Sequence, residues 1–172
     1  GANALIEAGA NGRTRTLAVL PPVAPGGRDP VPTSVTQGPD GAFYVSQLTG
    51  FPFWRGTSNV LRIASDGSTT EVYASGFTAV VDLAVGNDHA LYVLEIATGQ
   101  VAPFPPPSPG LGAGRLVRQC AGGTPQVLLA GLTSLPKNDD WRDSYLIGIF
   151  QPAAGKVLEW LPSSVAQQFR YG

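Results

Sequence analysis

Two stretches decide the architecture: Asn59–Thr78, NVLRIASDGSTTEVYASGFT, and Gly114–Thr133, GRLVRQCAGGTPQVLLAGLT. They align without a gap as an apolar strand, a turn, a second strand and a closing small-Gly-apolar-Thr run. The turns hold Asp66-Gly67 and Gly122-Gly123, residue types that tolerate the left-handed backbone of a tight reversal. A weaker copy, one residue longer at its turn, opens the chain at Asn3–Ala18, NALIEAGANGRTRTLA, around Asn11-Gly12. Between these copies lies a second unit: Pro32–Gln47, PTSVTQGPDGAFYVSQ, recurs 48 residues on as Val80–Glu95, VVDLAVGNDHALYVLE. Each copy of it reads as strand, turn, strand. Asp40-Gly41 is a strong hairpin signal, and Asn87-Asp88-His89 fills the same place in the second copy.

The order is therefore outer hairpin, inner hairpin, outer, inner, outer, with a period of about fifty residues. Four antiparallel strands at that period are the repeat of a β-propeller blade. The expected class is all-β, with about three to four blades over residues 1–136, the rival being a β-sandwich. Closed propellers typically have about four to eight blades, and open sheet edges are ordinarily avoided. The chain thus reads as a small ring, as an arc completed by another copy in a homo-oligomer, or as part of a longer propeller. Residues 137–172 diverge: Lys137–Phe150, KNDDWRDSYLIGIF, matches no copy, and Gly155–Pro162, GKVLEWLP, again resembles an outer strand. An incomplete blade plus a tail is the expectation there.

Composition agrees with many short strands: Gly and Pro number 22 and 16, while hydrophobic residues still make up 43%, enough for a core. With 11 basic and 12 acidic side chains there is no electrostatic reason to expect nucleic acid or an anionic membrane as partner. No apolar run approaches the length of a transmembrane segment. Cys120 is the only cysteine, which excludes an intrachain disulfide and a cysteine metal cluster. His89 is the only histidine and sits at a turn tip without a nucleophile beside it. G-x-S-x-G, P-loop and H-E-x-x-H patterns are all missing, so hydrolase and nucleotide chemistry of those kinds is unsupported.

The tight turns fall at one end of the sheets, and two long loops fall at the other: Leu48–Ser58, LTGFPFWRGTS, and Ile96–Gly114, IATGQVAPFPPPSPGLGAG. Binding residues concentrate on long loops held by a rigid scaffold, so this end is the candidate site face. Phe51, Phe53, Trp54 and Arg55 form a candidate aromatic, cation-tipped platform for a small planar ligand or a protein partner, or they fold down onto their own sheet. Phe104–Pro107 reads as an extended polyproline spacer or docking segment. Near the axis, Asp82 and its equivalent Ser34 begin inner strands, while Glu95 and its equivalent Gln47 end the strands that follow. Placing Asp82 opposite Val93 brings Asp82 and Glu95 together diagonally. Two carboxylates there either hold Ca²⁺, which takes six to eight oxygens, or satisfy strand-end amides.

The stretches Val31–Ile63, VPTSVTQGPDGAFYVSQLTGFPFWRGTSNVLRI, Val72–Gly86, VYASGFTAVVDLAVG, and Leu91–Gly99, LYVLEIATG, resemble the ScyD/ScyE family of bacterial β-propeller proteins. The likeness covers about Asn3 to Pro136, and its LTGFPF loop and LYVLEI strand are its most specific elements. It implies an exported, extracytoplasmic propeller of the six-bladed type, about twice this length, and implies no established activity. A more distant likeness to calcium-dependent lactonase and strictosidine-synthase-like propellers implies, as the alternative to a binding or assembly module, a Ca²⁺-dependent lactonase or esterase working in the channel. The chain departs from the family at Gln47, where members usually carry Glu.

Overall fold

β-Branched and aromatic residues run in short stretches between turns built on Gly, Asn and Asp, and each such stretch forms a strand. The structure, a computed structural model, describes residues 3–23, 30–49, 53–99 and 112–132. The segment after Leu132, the Phe104–Pro107 run and Phe51 lie outside the described residues. Ten strands are described: β1 (Ala4–Ala8), β2 (Thr14–Val19), β3 (Pro30–Gln37), β4 (Phe43–Thr49), β5 (Ser58–Ile63), β6 (Thr70–Phe77), β7 (Val80–Val85), β8 (Leu91–Glu95), β9 (Gly114–Gln119) and β10 (Gln126–Leu132).

They pair as a two-stranded hairpin, β1-β2, and two four-stranded antiparallel meanders, β3-β4-β5-β6 and β7-β8-β9-β10. The repeat legible in the sequence is this repeat of hairpins. Successive units stack in chain order through apolar layers. Leu5, Ala18 and Leu20 of the hairpin meet Phe43, Val45, Leu61 and Ile63 on one face of the first meander. Tyr44, Val60 and Phe77 on its other side meet Val80, Leu83, Leu91, Val93 and Val117 of the second. A third layer, Ala84, Leu94 and Leu116 with Val81, Tyr92, Leu128, Leu129 and Leu132, lies on the far face of that second meander. Central strands such as β4 and β5 are therefore buried on both faces, which is why they read as near-continuous apolar runs.

The ungapped match of the two deciding stretches needs one correction. Tyr44 pairs with Arg62 and Tyr92 pairs with Arg118, so β5 and β9 correspond 56 residues apart. Leu61 pairs with Val72 and Val117 with Val127, so β6 and β10 correspond 55 apart. The second turn is one residue shorter, and the ungapped alignment is slipped by one along β5 and β9. A slip of one exchanges the two faces of a strand. At the corrected spacing the burial patterns of β5 and β9 coincide, with Arg62 and Arg118 both half-buried.

A second correction concerns Asp82, which lies opposite Leu94, with Leu83 opposite Val93. An irregularity between Val80 and Asp82 shifts the register, and the same irregularity recurs between Pro32 and Val35.

One turn fixes the packing of hairpin on meander. Gly67, at φ 79°, sits so close to β2 that a Cβ would fall 2.1 Å from the Leu17 carbonyl oxygen. Gly12, at φ 76°, has open space around the same position. Gly12→Ala is expected to cost about 1–2 kcal/mol from backbone strain alone. Gly67→Ala adds a backbone collision and should cost at least about 2 kcal/mol more, overpacking being worth about 1–3 kcal/mol. Urea unfolding of the two variants checks the difference.

Candidate functional site

Antiparallel order puts the β3–β4, β5–β6, β7–β8 and β9–β10 turns at one end of the meanders, and the β4–β5 and β8–β9 loops at the other. Two repeated constellations occupy those two ends.

At the tight-turn end the sequence G-x-D-x-A-x-Y occurs twice, as Gly38–Tyr44 and Gly86–Tyr92. Asp40 Oδ1 accepts the Ala42 N–H at 3.2 Å, and Asp40 Oδ2 accepts the Tyr44 hydroxyl at 3.3 Å and Arg62 Nε at 2.8 Å. Asp88 repeats this with Ala90 at 3.2 Å, Tyr92 at 3.2 Å and Arg118 at 2.7 Å. A Cβ at Gly38 or Gly86 would come within 2.5 Å of the tyrosine ring, so the motif requires glycine there. Burial opposes the charge on Asp40 and Asp88, but the arginine, the backbone N–H and the tyrosine hydroxyl outweigh it and hold both carboxyls below the usual range. Burial, followed by the adjacent carboxylate, pushes the Tyr44 and Tyr92 hydroxyls up. These residues were not among the sequence candidates. The repeated G-x-D-x-A-x-Y was the available signal for the Asp and Tyr, whereas their arginines emerge only with the corrected spacing.

At the long-loop end the four axial candidates serve two different tasks. Gln47 lies near the end of β4 and Glu95 ends β8, and each reaches back to the segment that enters its own sheet. Glu95 is fully buried; its carboxylate accepts the Thr78 N–H and pairs with Arg115 through Nε and Nη2. Gln47 is likewise buried and donates from Nε2 to the Pro21 carbonyl at 3.0 Å. Pro21 follows Leu20, whose N–H closes the first hairpin on Asn3, as Thr78 follows Phe77, the last paired residue of β6. At the Pro21 position there is no N–H for a carboxylate to accept, so the amide of Gln47 is the group that fits.

Ser34 and Asp82 lie together where the inner strands of the two meanders meet. The Ser34 hydroxyl donates to Asp82 Oδ1 at 2.7 Å, and the same oxygen accepts the Leu83 N–H at 2.9 Å. The Thr33 hydroxyl donates to the Val80 carbonyl at 2.9 Å, which leaves Ser46 to donate to Thr33 across 2.8 Å while accepting the Ser34 N–H at 3.0 Å. This network joins β3 to β7. The structure thus brings Ser34 to Asp82 and ties Glu95 to Arg115. The calcium expectation on Asp82 and Glu95 meets that geometry poorly, because a metal at Glu95 would have to displace Arg115 and the Thr78 N–H. Among the described residues no group of three or more His, Cys, Asp or Glu is placed to hold a metal ion.

The platform loop is held at its base. The Gly56 N–H donates to Thr78 Oγ1 at 2.9 Å, the Thr57 hydroxyl donates to the Trp54 carbonyl at 2.8 Å, and Thr49 and Thr57 share a hydroxyl contact at 3.3 Å. Trp54 stays 37% exposed, Arg55 is exposed and Phe53 half-buried. Of the loop's described aromatics, Phe53 is thus folded partly down and Trp54 is partly open to solvent. His89 is exposed at its turn with φ 60°, where the first copy has Gly41 at φ 76°. No helix among the described residues is long and apolar enough to cross a membrane. No protein-family model and no curated protein matches the chain.

Because Asp40 and Asp88 titrate lower when folded than the ordinary value near 3.8, their stabilisation is present above that value and is lost as pH falls below it through the lower folded values. Urea midpoints should therefore drop below about pH 4, and drop less in the Asp40→Asn/Asp88→Asn variant. Gln47→Glu is expected to cost at least about 2 kcal/mol at pH 7 by burying a carboxylate against the Pro21 carbonyl. The raised pKa of the new carboxyl makes that deficit shrink on acidification, since the protonated acid can donate to Pro21; the same denaturation series measures both effects.

Proposed function

We propose that the chain is an assembly of β-propeller blades acting as a binding module, with its ligand held at the long-loop end by Trp54 and Arg55, flanked by Phe53. The meanders supply what a blade needs: four antiparallel strands in sequence order, repeated, and stacked face on face. The ScyD/ScyE resemblance supports the same reading and an exported setting. One observation carries the choice of site: a half-exposed indole next to an exposed guanidinium, on a loop pinned to the scaffold at Thr78. A rigid aromatic surface loses little entropy on binding, and a guanidinium can stack or bind a carboxylate through two parallel hydrogen bonds. The chemistry so matched is a planar, anionic small molecule. Ser34, Asp82, Gln47 and Glu95 hold the frame beneath it.

A fluorescence titration with 2-naphthoate tests this. Saturable quenching is expected in the wild type, with loss in Trp54→Ala and about tenfold weakening, equivalent to about 1.4 kcal/mol, in Arg55→Gln. Arg55→Gln, at an exposed side chain, should retain the wild-type melting temperature. Quenching that survives Trp54→Ala, or fails to saturate, would remove the platform from the binding reading.

A further inference from the structure

The first meander passes to the second through two residues, Thr78 and Ala79, set between Phe77 at the end of β6 and Val80 at the start of β7. Both are buried, at 2% and 3% exposure. Ala79 holds a left-handed backbone, φ 49°, which crowds its Cβ against the following carbonyl oxygen and is disfavoured for alanine. A residue stays in such a conformation only where its surroundings over-determine it. Three hydrogen bonds surround this one. The Thr78 N–H donates to Glu95, itself paired with Arg115. The Thr78 hydroxyl oxygen accepts the Gly56 N–H of the β4–β5 loop at 2.9 Å. The Ala79 carbonyl accepts the Ile96 N–H at 3.1 Å, which extends the β7–β8 ladder by one bond into the start of the β8–β9 loop.

Each long loop is thus fixed at its root to one of two adjacent residues. The root of the β8–β9 loop is also closed on itself. The Thr98 hydroxyl donates to the Ala113 carbonyl at 3.0 Å, and Gly114 lies so close to β8 that a Cβ would come 2.6 Å from the Glu95 carbonyl oxygen. From these bonds we infer that Thr78 and Ala79 are positioning residues that hold the two long loops as one unit, so that what happens at one loop is felt at the other. Alanine by itself prefers negative φ. Freeing Thr78 from Gly56 therefore lets the Ala79 backbone rotate, and the same rotation turns its carbonyl away from Ile96. The coupling runs both ways, so a ligand that stills the platform loop also steadies Ile96. Its consequence for recognition rests on the proposed role of Trp54 and Arg55, whereas the coupling of the two loops does not.

Amide exchange of the full chain, read residue by residue by NMR with and without 2-naphthoate, tests this. Thr78→Val keeps the branched shape and removes the hydroxyl. In that variant the Gly56 and Ile96 amides are both expected to exchange about three- to tenfold faster, the effect of losing one hydrogen bond at each. Thr78→Ser, which keeps the hydroxyl, should restore the wild-type rates. Gly38 and Gly86, whose N–H groups are bonded to Ala42 and Ala90 at the tight-turn end, should not change. In the wild type, 2-naphthoate should slow Gly56 and Ile96 together. Four results overturn the inference: Gly56 keeping its rate in Thr78→Val, Gly56 accelerating while Ile96 does not, Thr78→Ser behaving like Thr78→Val, or Gly38 and Gly86 accelerating equally. If 2-naphthoate does not bind and Thr78→Val still frees both amides, the platform role falls and the coupling stands. If it binds and slows Gly56 alone, the coupling falls and the platform role stands.

Discussion

A four-stranded antiparallel meander has two faces to bury, and here the first meander has one buried against the preceding hairpin and the other against the second meander. That constraint organises everything else. Strands β4 and β5 cannot alternate apolar with polar, because both of their faces are covered; they read as FYVSQLT and SNVLRI, with Ser46, Gln47, Thr49 and Arg62 hydrogen-bonded or paired and the buried Ser58 hydroxyl left without a partner. The outer strands β6 and β10, each covered less, carry exposed Val72 and Val127 at matching positions. Stacking also dictates where glycine is needed. The β5–β6 turn touches the backbone of β2 at Leu17, and no side chain fits between them.

Because the units follow one another along the chain, each sheet must also be fixed to the segment that enters it. Gln47 and Glu95 perform this task at the same repeat position with opposite chemistry. Glu95 accepts a hydrogen bond from the Thr78 N–H, and Gln47 donates one to the Pro21 carbonyl. Pro21 removes the N–H that a glutamate would use, so a glutamate at residue 47 would place an acceptor against an acceptor. The difference between Gln47 and its repeat equivalent Glu95, which looks arbitrary in the sequence, is thereby coupled to a proline 26 residues away. The fully buried Glu95 is tolerated for the complementary reason: Arg115 and the Thr78 amide both meet its oxygens.

Much of this was legible in the residues. Hairpins announce themselves through Asp-Gly and Asn-Gly turns, and the recurrence of whole hairpins placed all ten described strands in the right order. Register was harder. The missing residue in the Cys120–Thr124 turn leaves no mark in an ungapped alignment, since β6 and β10 match well enough to hide a slip in β5 and β9. Only the pairing of Tyr44 with Arg62 and of Tyr92 with Arg118 shows it. The irregularity at Val80–Asp82 likewise moved Asp82 by one place and turned an expected carboxylate pair into a serine–aspartate bond between sheets. Which strand-end carboxylate meets a cation and which meets an amide depends on neighbours far along the chain, and spacing within one hairpin does not contain that information.

The division of labour between the two ends follows from the same accounting of polar groups. At the tight-turn end, each aspartate is enclosed by a backbone amide, a tyrosine and an arginine two strands away, so its hydrogen-bonding capacity is spent on holding the hairpin. At the other end Gln47, Glu95 and Thr33 are spent in the same way, on Pro21, Thr78, Arg115 and Val80, and the buried Ser58 hydroxyl alone has no partner among the described residues. The loop carrying Trp54 and Arg55 lies at this same end, its backbone secured by Thr57 and Thr78 and the side chains of Trp54 and Arg55 exposed. A scaffold that commits its interior polar groups to its own assembly leaves recognition to such loops, where a side chain can change without unsatisfying anything beneath it.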